Sequence, residues 1–119
     1  MATSFKVKDK MVQIIEEIRR NEACRKAIAK WVDTYYGKII TIKADEEVAS
    51  LVFTDEGDVK VLNVELPSPD VTLIGSGGDL YSLLDGKASA KKLAISGQIK
   101  VRGSLHEWST FEGILRSTR

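Results

Sequence analysis

After Gly37 the spacing of apolar residues changes from three-and-four to two, and that change restricts the architecture of this chain more tightly than any short motif does. Before it, Met11, Ile14, Ile15 and Ile18 form one helical stripe, and Cys24, Ala27, Ile28 and Trp31 repeat it. Asn21 lies between the stripes, where it either caps a second helix or bends the first. Glu16, Glu17, Arg19, Arg20, Arg25, Lys26 and Lys30 fill the intervening positions with both signs of charge, as a solvated face does. Beyond Gly37, Ile40 and Ile42 alternate with Thr41 and Lys43, and Leu51 and Phe53 with Ser50, Val52 and Thr54, which predicts strands.

The polar loop Thr54 to Asp58 joins the second of these strands to Val59–Glu65 as a hairpin. Pro67 and Pro69 cannot donate ladder hydrogen bonds and so interrupt the sheet, which restarts at Asp70 to Gly75. Ser76 to Asp79 has the spacing of a capping box and opens a helix through Leu80, Leu83 and Leu84 that ends at Gly86. Ser89 can cap a short helix over Ala90 to Leu93. Ile95, Gly97, Ile99 and Val101 then alternate with polar residues, predicting a strand with one buried face from Ile95 to Val101. Gly103 turns the chain, and Ser104 to Glu107, a second capping box, opens a terminal helix carrying Leu105, Trp108, Phe111 and Leu115. The whole reads as an α+β fold: one five-stranded, mainly antiparallel sheet with helices over one face, organised as one domain over residues 1–119.

Composition narrows the function. Lys and Arg number 18 against 17 Asp and Glu, so the net charge of +1 provides no broad basic field, and nucleic acid is not an expected partner. With Cys24 the only cysteine and His106 the only histidine, an intramolecular disulfide and the usual zinc ligand sets are both excluded within one chain. No cofactor is expected. Neither a signal-peptide apolar run nor a membrane span is visible, and the expected location is the cytoplasm.

Motifs that suggest chemistry fail on detail. Gly75 to Leu80 sits where a dinucleotide loop would, but Leu80 replaces the third glycine. Asp85 to Ser89 resembles the end of a phosphate loop, yet Tyr81 and Ala88 stand where a glycine and a metal-binding hydroxyl belong. His106 has Glu107, Ser104 and Ser109 nearby, but helix neighbours point to different faces and form no triad. Cys24 belongs to an apolar stripe and packs. The acidic runs at Asp45–Glu47 and Asp55–Asp58 lack calcium-loop spacing and are explained by turns. Lys87, Lys91 and Lys92, with Lys100 and Arg102, make one local basic concentration, a solvated surface or a transient contact with anionic membrane. Apolar residues dominate the rest of the last third, and periodicity does not separate a packed core from a lined cavity.

Asp70-Val71-Thr72, Asp79 opening a helix, Leu83 to Lys87 and Ser96 to Gly103 follow one another in an order that resembles the sterol carrier protein type-2 family of lipid-binding domains. The resemblance spans Pro69 to Ser104; the first half agrees only in layout. It implies a hydrophobic tunnel between sheet and helices for fatty acyl chains, acyl-CoA or sterols. The position after Ala-Lys-Lys, commonly phenylalanine in the family, is Leu93, and the chain ends Ser-Thr-Arg without a peroxisomal address of the Ser-Lys-Leu type.

The resulting expectation is a non-enzymatic intracellular lipid-binding and transfer protein, monomeric or homodimeric. Its expected lining is Leu80, Leu84, Ile95, Ile99, Leu105, Trp108, Phe111 and Leu115, each of which serves a core equally well. The alternative is a dimerisation or accessory module that presents a lipophilic intermediate to a partner enzyme. An enzyme would need a nucleophile, metal set or acid–base pair that the sequence does not display.

Overall fold

The computed structural model describes residues 5–33 and 36–118, and the side chains from 7 to 117 among them. Helix α1 (Phe5–Arg20) buries Val7, Met11, Ile14, Ile15 and Ile18, the stripe expected from spacing. Asn21 then takes an extended backbone and its side chain accepts a hydrogen bond from the Cys24 amide. It therefore caps α2 (Glu22–Trp31), whose inward face carries Cys24 and Ile28.

Strands β1 (Lys38–Ala44), β2 (Glu47–Phe53), β3 (Val59–Leu62), β4 (Val71–Gly75) and β5 (Ile99–Gly103) form one sheet in the order β3-β2-β1-β4-β5. Only the central β1–β4 pair is parallel. The third strand stops at Leu62, short of the predicted Glu65. There the chain leaves the sheet edge and crosses β2 and β1 to reach β4. Val64 carbonyl accepts from Ser50 Oγ at 2.8 Å during this crossing, and Glu65 pairs with Lys43 at 2.9 Å. Thr41, Ser50 and Thr72 are buried on that face of the sheet, with the Thr41 and Ser50 hydroxyls 3.1 Å apart. Pro67 and Pro69 lie in the crossing, where no ladder donor is needed.

The opposite face is apolar, with Ile40, Ile42, Leu51, Phe53, Val71 and Leu73 at most 1% exposed, and the helices cover it. Helices α3 (Gly77–Leu84), α4 (Ala90–Ile95) and α5 (Leu105–Thr118) complete the chain. The fold is the expected one: α+β, with a five-stranded, mainly antiparallel sheet under helices.

Three local expectations change. Ile95 does not begin a strand; it ends α4 and is 78% exposed. Gly97 adopts φ +82°, its amide bonds to Ala94 and the Gln98 amide reaches back to Leu93, so the apparent alternation ran through a helix C-cap. Ser76 does accept from the Asp79 amide at 3.1 Å, but Asp79 accepts from Gln98 instead of closing the box. Likewise Glu107 does not return to Ser104: its carboxylate accepts from Trp31 Nε1 at 2.9 Å and from Lys38 Nζ. For Glu107, a charged lysine and a part-buried indole N–H outcompete an exposed backbone amide.

That carboxylate and an aromatic cluster seat α5. Phe111 lies 4.8 Å from Phe53 and 6.0 Å from Trp31 between ring centroids, and Trp108 lies 5.5 Å from Phe111. The space between β2 and α5 is thus occupied by rings. Gly103 aims the helix: at φ +87° it would place a Cβ 2.6 Å from Asp70 carbonyl oxygen, so only glycine makes this corner.

Truncating Phe111, which is fully buried, to alanine is expected to cost about 3–5 kcal/mol in chemical denaturation. Burial pushes the Glu107 carboxyl up, but the hydrogen bonds from Lys38 and Trp31 outweigh it and hold the group below its ordinary 4.5. Its contribution is therefore complete above pH 4.5 and lost as pH falls through the lower folded value. Denaturation of Glu107→Gln across that acidic range should show a flatter pH dependence than the wild type.

Candidate functional site

Helix α3 is fixed at both ends. The Gly77 amide donates to Asp45 Oδ2 at 2.8 Å from the β1–β2 turn, and Ser76 caps the first turn. At its other end Asp85 pairs with Lys10 of α1 at 2.6 Å, a lysine only 8% exposed and lying 5.8 Å from the Tyr81 ring centroid. The Lys10 hydrogen bond is the main reason that the Asp85 carboxyl sits below its ordinary value. Leu80, Leu83 and Leu84 point inward from this braced helix.

On α5, Trp108, Glu112 and Arg116 are spaced by four and share one face. A pocket of about 260 Å³ opens between that face and the end of α3. Leu83, Leu84 and Leu115 supply its apolar wall, Trp108 its aromatic one, and Asp85, Glu112 and Arg116 its charges. Its volume falls just below the roughly 300–1,000 Å³ typical of small-molecule sites. A second groove of about 410 Å³ adjoins it, sharing Gly86 and Arg116 and adding Lys87, Ala88, Ser89, Lys92 and Leu93. An apolar cleft thus leads into a basic one.

Two buried polar atoms in the first pocket, Trp108 Nε1 and Glu112 Oε2, make no close hydrogen bond, and the indole N–H interacts loosely with the Glu112 carboxylate one turn along the helix. The other indole is held more firmly, since Trp31 Nε1 donates to Glu107 at 2.9 Å. Burial pushes the Glu112 carboxyl above its ordinary 4.5, opposed in part by the Arg116 charge, 3.7 Å away, and by a hydrogen bond from the Trp108 indole.

Residues 13–116 match the SCP-2 sterol transfer family. The chain belongs to that family. No curated protein matches it. Among solved structures, the UbiJ-SCP2 ubiquinone synthesis protein superposes with a TM-score of 0.67 at 20% identity, over 90% of this chain and 88% of that one. The apo sterol carrier protein 2 of Yarrowia lipolytica gives 0.59 at 22% identity, over 92% and 87%. The Pisa1 sec-alkylsulfatase from Pseudomonas sp. gives 0.63 at 18% identity, but only 14% of that chain is involved. These likenesses establish the fold; the family match establishes a lipid-binding domain of the sterol-transfer type.

Within this SCP-2 domain, the residues expected to line a cavity separate. Leu84, Trp108 and Leu115 meet at the pocket. Leu80 and Phe111 are fully buried in the core, Ile99 is buried at the start of β5, Leu105 is half-buried at the start of α5, and Ile95 faces solvent. Lys87 and Lys92 border the basic groove, while Lys91 is exposed on α4. Cys24 is buried, as its stripe predicts. Leu83, Glu112 and Arg116 were not anticipated. The four-residue spacing from Trp108 was the available signal for the last two, but on a helix it describes a solvent face equally well. Among the described residues, no helix is long and apolar enough to cross a membrane, and no cluster of His, Cys, Asp and Glu could hold a metal ion.

The raised Glu112 carboxyl means that the folded chain holds a proton there more tightly than the unfolded one. Stability from this group is complete below pH 4.5 and lost as pH rises through the raised folded value. Glu112→Gln should therefore unfold at higher denaturant concentration than wild type at neutral pH, with the gain vanishing in acid.

Proposed function

We propose that this SCP-2 domain is a non-catalytic carrier that takes an aliphatic or sterol-like ligand into the cleft between α3 and α5. The observation that carries the reading is the apolar pocket walled by Leu83, Leu84, Trp108 and Leu115 on a chain of the sterol-transfer family. Each buried methylene contributes about 0.8 kcal/mol, so eight give about 6 kcal/mol, or binding in the range of tens of micromolar before ordering costs. A longer ligand would continue past Gly86 into the adjoining groove, where Lys87, Lys92 and Arg116 offer positive charge to an anionic end or to a membrane surface.

A second reading is the accessory module. It is supported by exposed apolar side chains where α1 meets the edge strand, Val12 on α1 at 42% and Leu62 at the end of β3 at 41%, which line one surface groove. It is compatible with the similarity to a protein described as acting in ubiquinone synthesis. In that reading the cleft holds a lipophilic intermediate and the α1–β3 groove contacts the partner.

Native mass spectrometry of gently purified protein should show a co-purifying lipid. Displacement of a fluorescent fatty-acid probe should weaken about tenfold or more when Leu115→Trp or Leu84→Trp fills the cleft, with the circular dichroism spectrum unchanged; a loss of about two buried methylenes already gives that factor. Unaltered probe binding in both variants would remove the ligand from this cleft.

A further inference from the structure

The side chains of α4 are distributed unevenly around its axis. Ala90 and Leu93 are buried, while Lys91, Lys92 and Ile95 are exposed. At about 3.6 residues per turn, Ile95 falls between the two lysines on the side away from that buried pair. It is 78% exposed, more than any other large apolar side chain among the described residues. The charge around it has one sign. Residues 87–102 include five basic residues and no acidic one, whereas the rest of the chain carries 13 basic against 17 acidic. The acids lining the neighbouring pocket already have partners, Asp85 in Lys10 and Lys87, and Glu112 in Arg116. Among the described residues, Lys91 and Lys92 have no ion-pair partner.

A protein partner is a poor match for this face. Specific interfaces favour Tyr, Trp, Met and Arg, deplete lysine, and bury about 800 Å² per partner, far more than one helix of six residues presents. An anionic bilayer asks for less. Lysines lay their stems along acyl chains while their ammonium groups stay among the headgroups, and an apolar side chain between them enters the boundary. The location suits a carrier, because Lys92 and Leu93 also line the groove that adjoins the α3–α5 pocket. We propose that α4 docks this protein on anionic membrane, with Ile95 inserted at the acyl boundary and Lys91 and Lys92 held by lipid phosphate and carboxylate groups. Docking there brings the groove to the bilayer that donates or receives the ligand, so the proposal rests on the carrier reading. With one apolar side chain and a few charges, the attachment is weak, reversible and salt-sensitive, as transfer between surfaces requires.

The test is co-sedimentation of the full chain with vesicles of phosphatidylcholine alone, or of phosphatidylcholine and phosphatidylserine in equal parts. Wild type should bind the mixed vesicles about tenfold or more tightly than the neutral ones, and less as salt rises. Replacing both lysines, Lys91→Gln with Lys92→Gln, should weaken that binding about twentyfold, from about fivefold each. Ile95→Ser should weaken it about tenfold, a loss that persists at high salt. A polarity-sensitive fluorophore attached at Ile95→Cys should shift to the blue on the mixed vesicles. The same label at Glu56→Cys, in the turn before β3 at the sheet's other edge, should not, and the native Cys24 is buried away from labelling. Displacement of the fatty-acid probe without vesicles reports on the carrier alone and should be unchanged in Ile95→Ser. No binding to the mixed vesicles, which would leave the face to an acidic protein, equal binding to both compositions, or binding with the Ile95 label still in water would each overturn the docking surface. Intact probe displacement then leaves the carrier standing, whereas failure of the probe to bind wild type would remove the carrier reading itself. The comparison of the two vesicle compositions needs no variant, and the three replaced side chains are exposed, so the fold is retained.

Discussion

The seating of α5 on the sheet is the contact on which the rest of this molecule depends. Phe111 lies against Phe53 of β2 and Trp31 of α2, and Glu107 ties the same helix to Trp31 and Lys38. These contacts involve residues far apart in the chain, and they set both the height and the rotation of α5. Rotation matters most, because the face next to Phe111 carries Trp108, Glu112 and Arg116. With Phe111 inward, that face opens beside α3 and forms the pocket wall.

The other wall is held by polar means. Asp45 and Ser76 hold the start of α3, and Lys10 holds its end through Asp85. A helix of eight residues is too short to be stable from its own hydrogen bonds, so these anchors and the burial of Leu80, Leu83 and Leu84 keep it in place. The pocket is therefore a gap between two separately anchored helices, located beside the aromatic core.

Much of this architecture was legible in the residue pattern. The stripes of α1 and α2, a break at Asn21, the hairpin across Thr54–Asp58, the restart at β4 and the entry into α3 all follow from periodicity and turn chemistry, which act within a few residues. The misreadings share one cause. Ile95 fitted an alternating pattern with Ile99 and Val101, yet the chain between them is a helix C-cap; period two over one or two steps is also what a helix end followed by a strand produces. Glu107 and Asp79 had capping-box spacing, but distant partners claimed their side chains. The third strand ended early because the chain had to cross the sheet, which is a requirement of topology and leaves no local trace.

The same division holds for function. Local sequence determined which segments are helical or extended, which faces are greasy, and, through the order of features from Pro69 to Ser104, the family. Tertiary structure decided which greasy residues fill space and which surround it: Leu84, Trp108 and Leu115 bound the cleft, while Leu80 and Phe111, equally apolar and on the same helices, are consumed by the core. It also decided that Glu112 and Arg116 face α3. Periodicity reports the direction of a side chain relative to its own helix axis, whereas a cavity depends on the distance between two axes, and that distance is set by contacts between residues far apart in the chain.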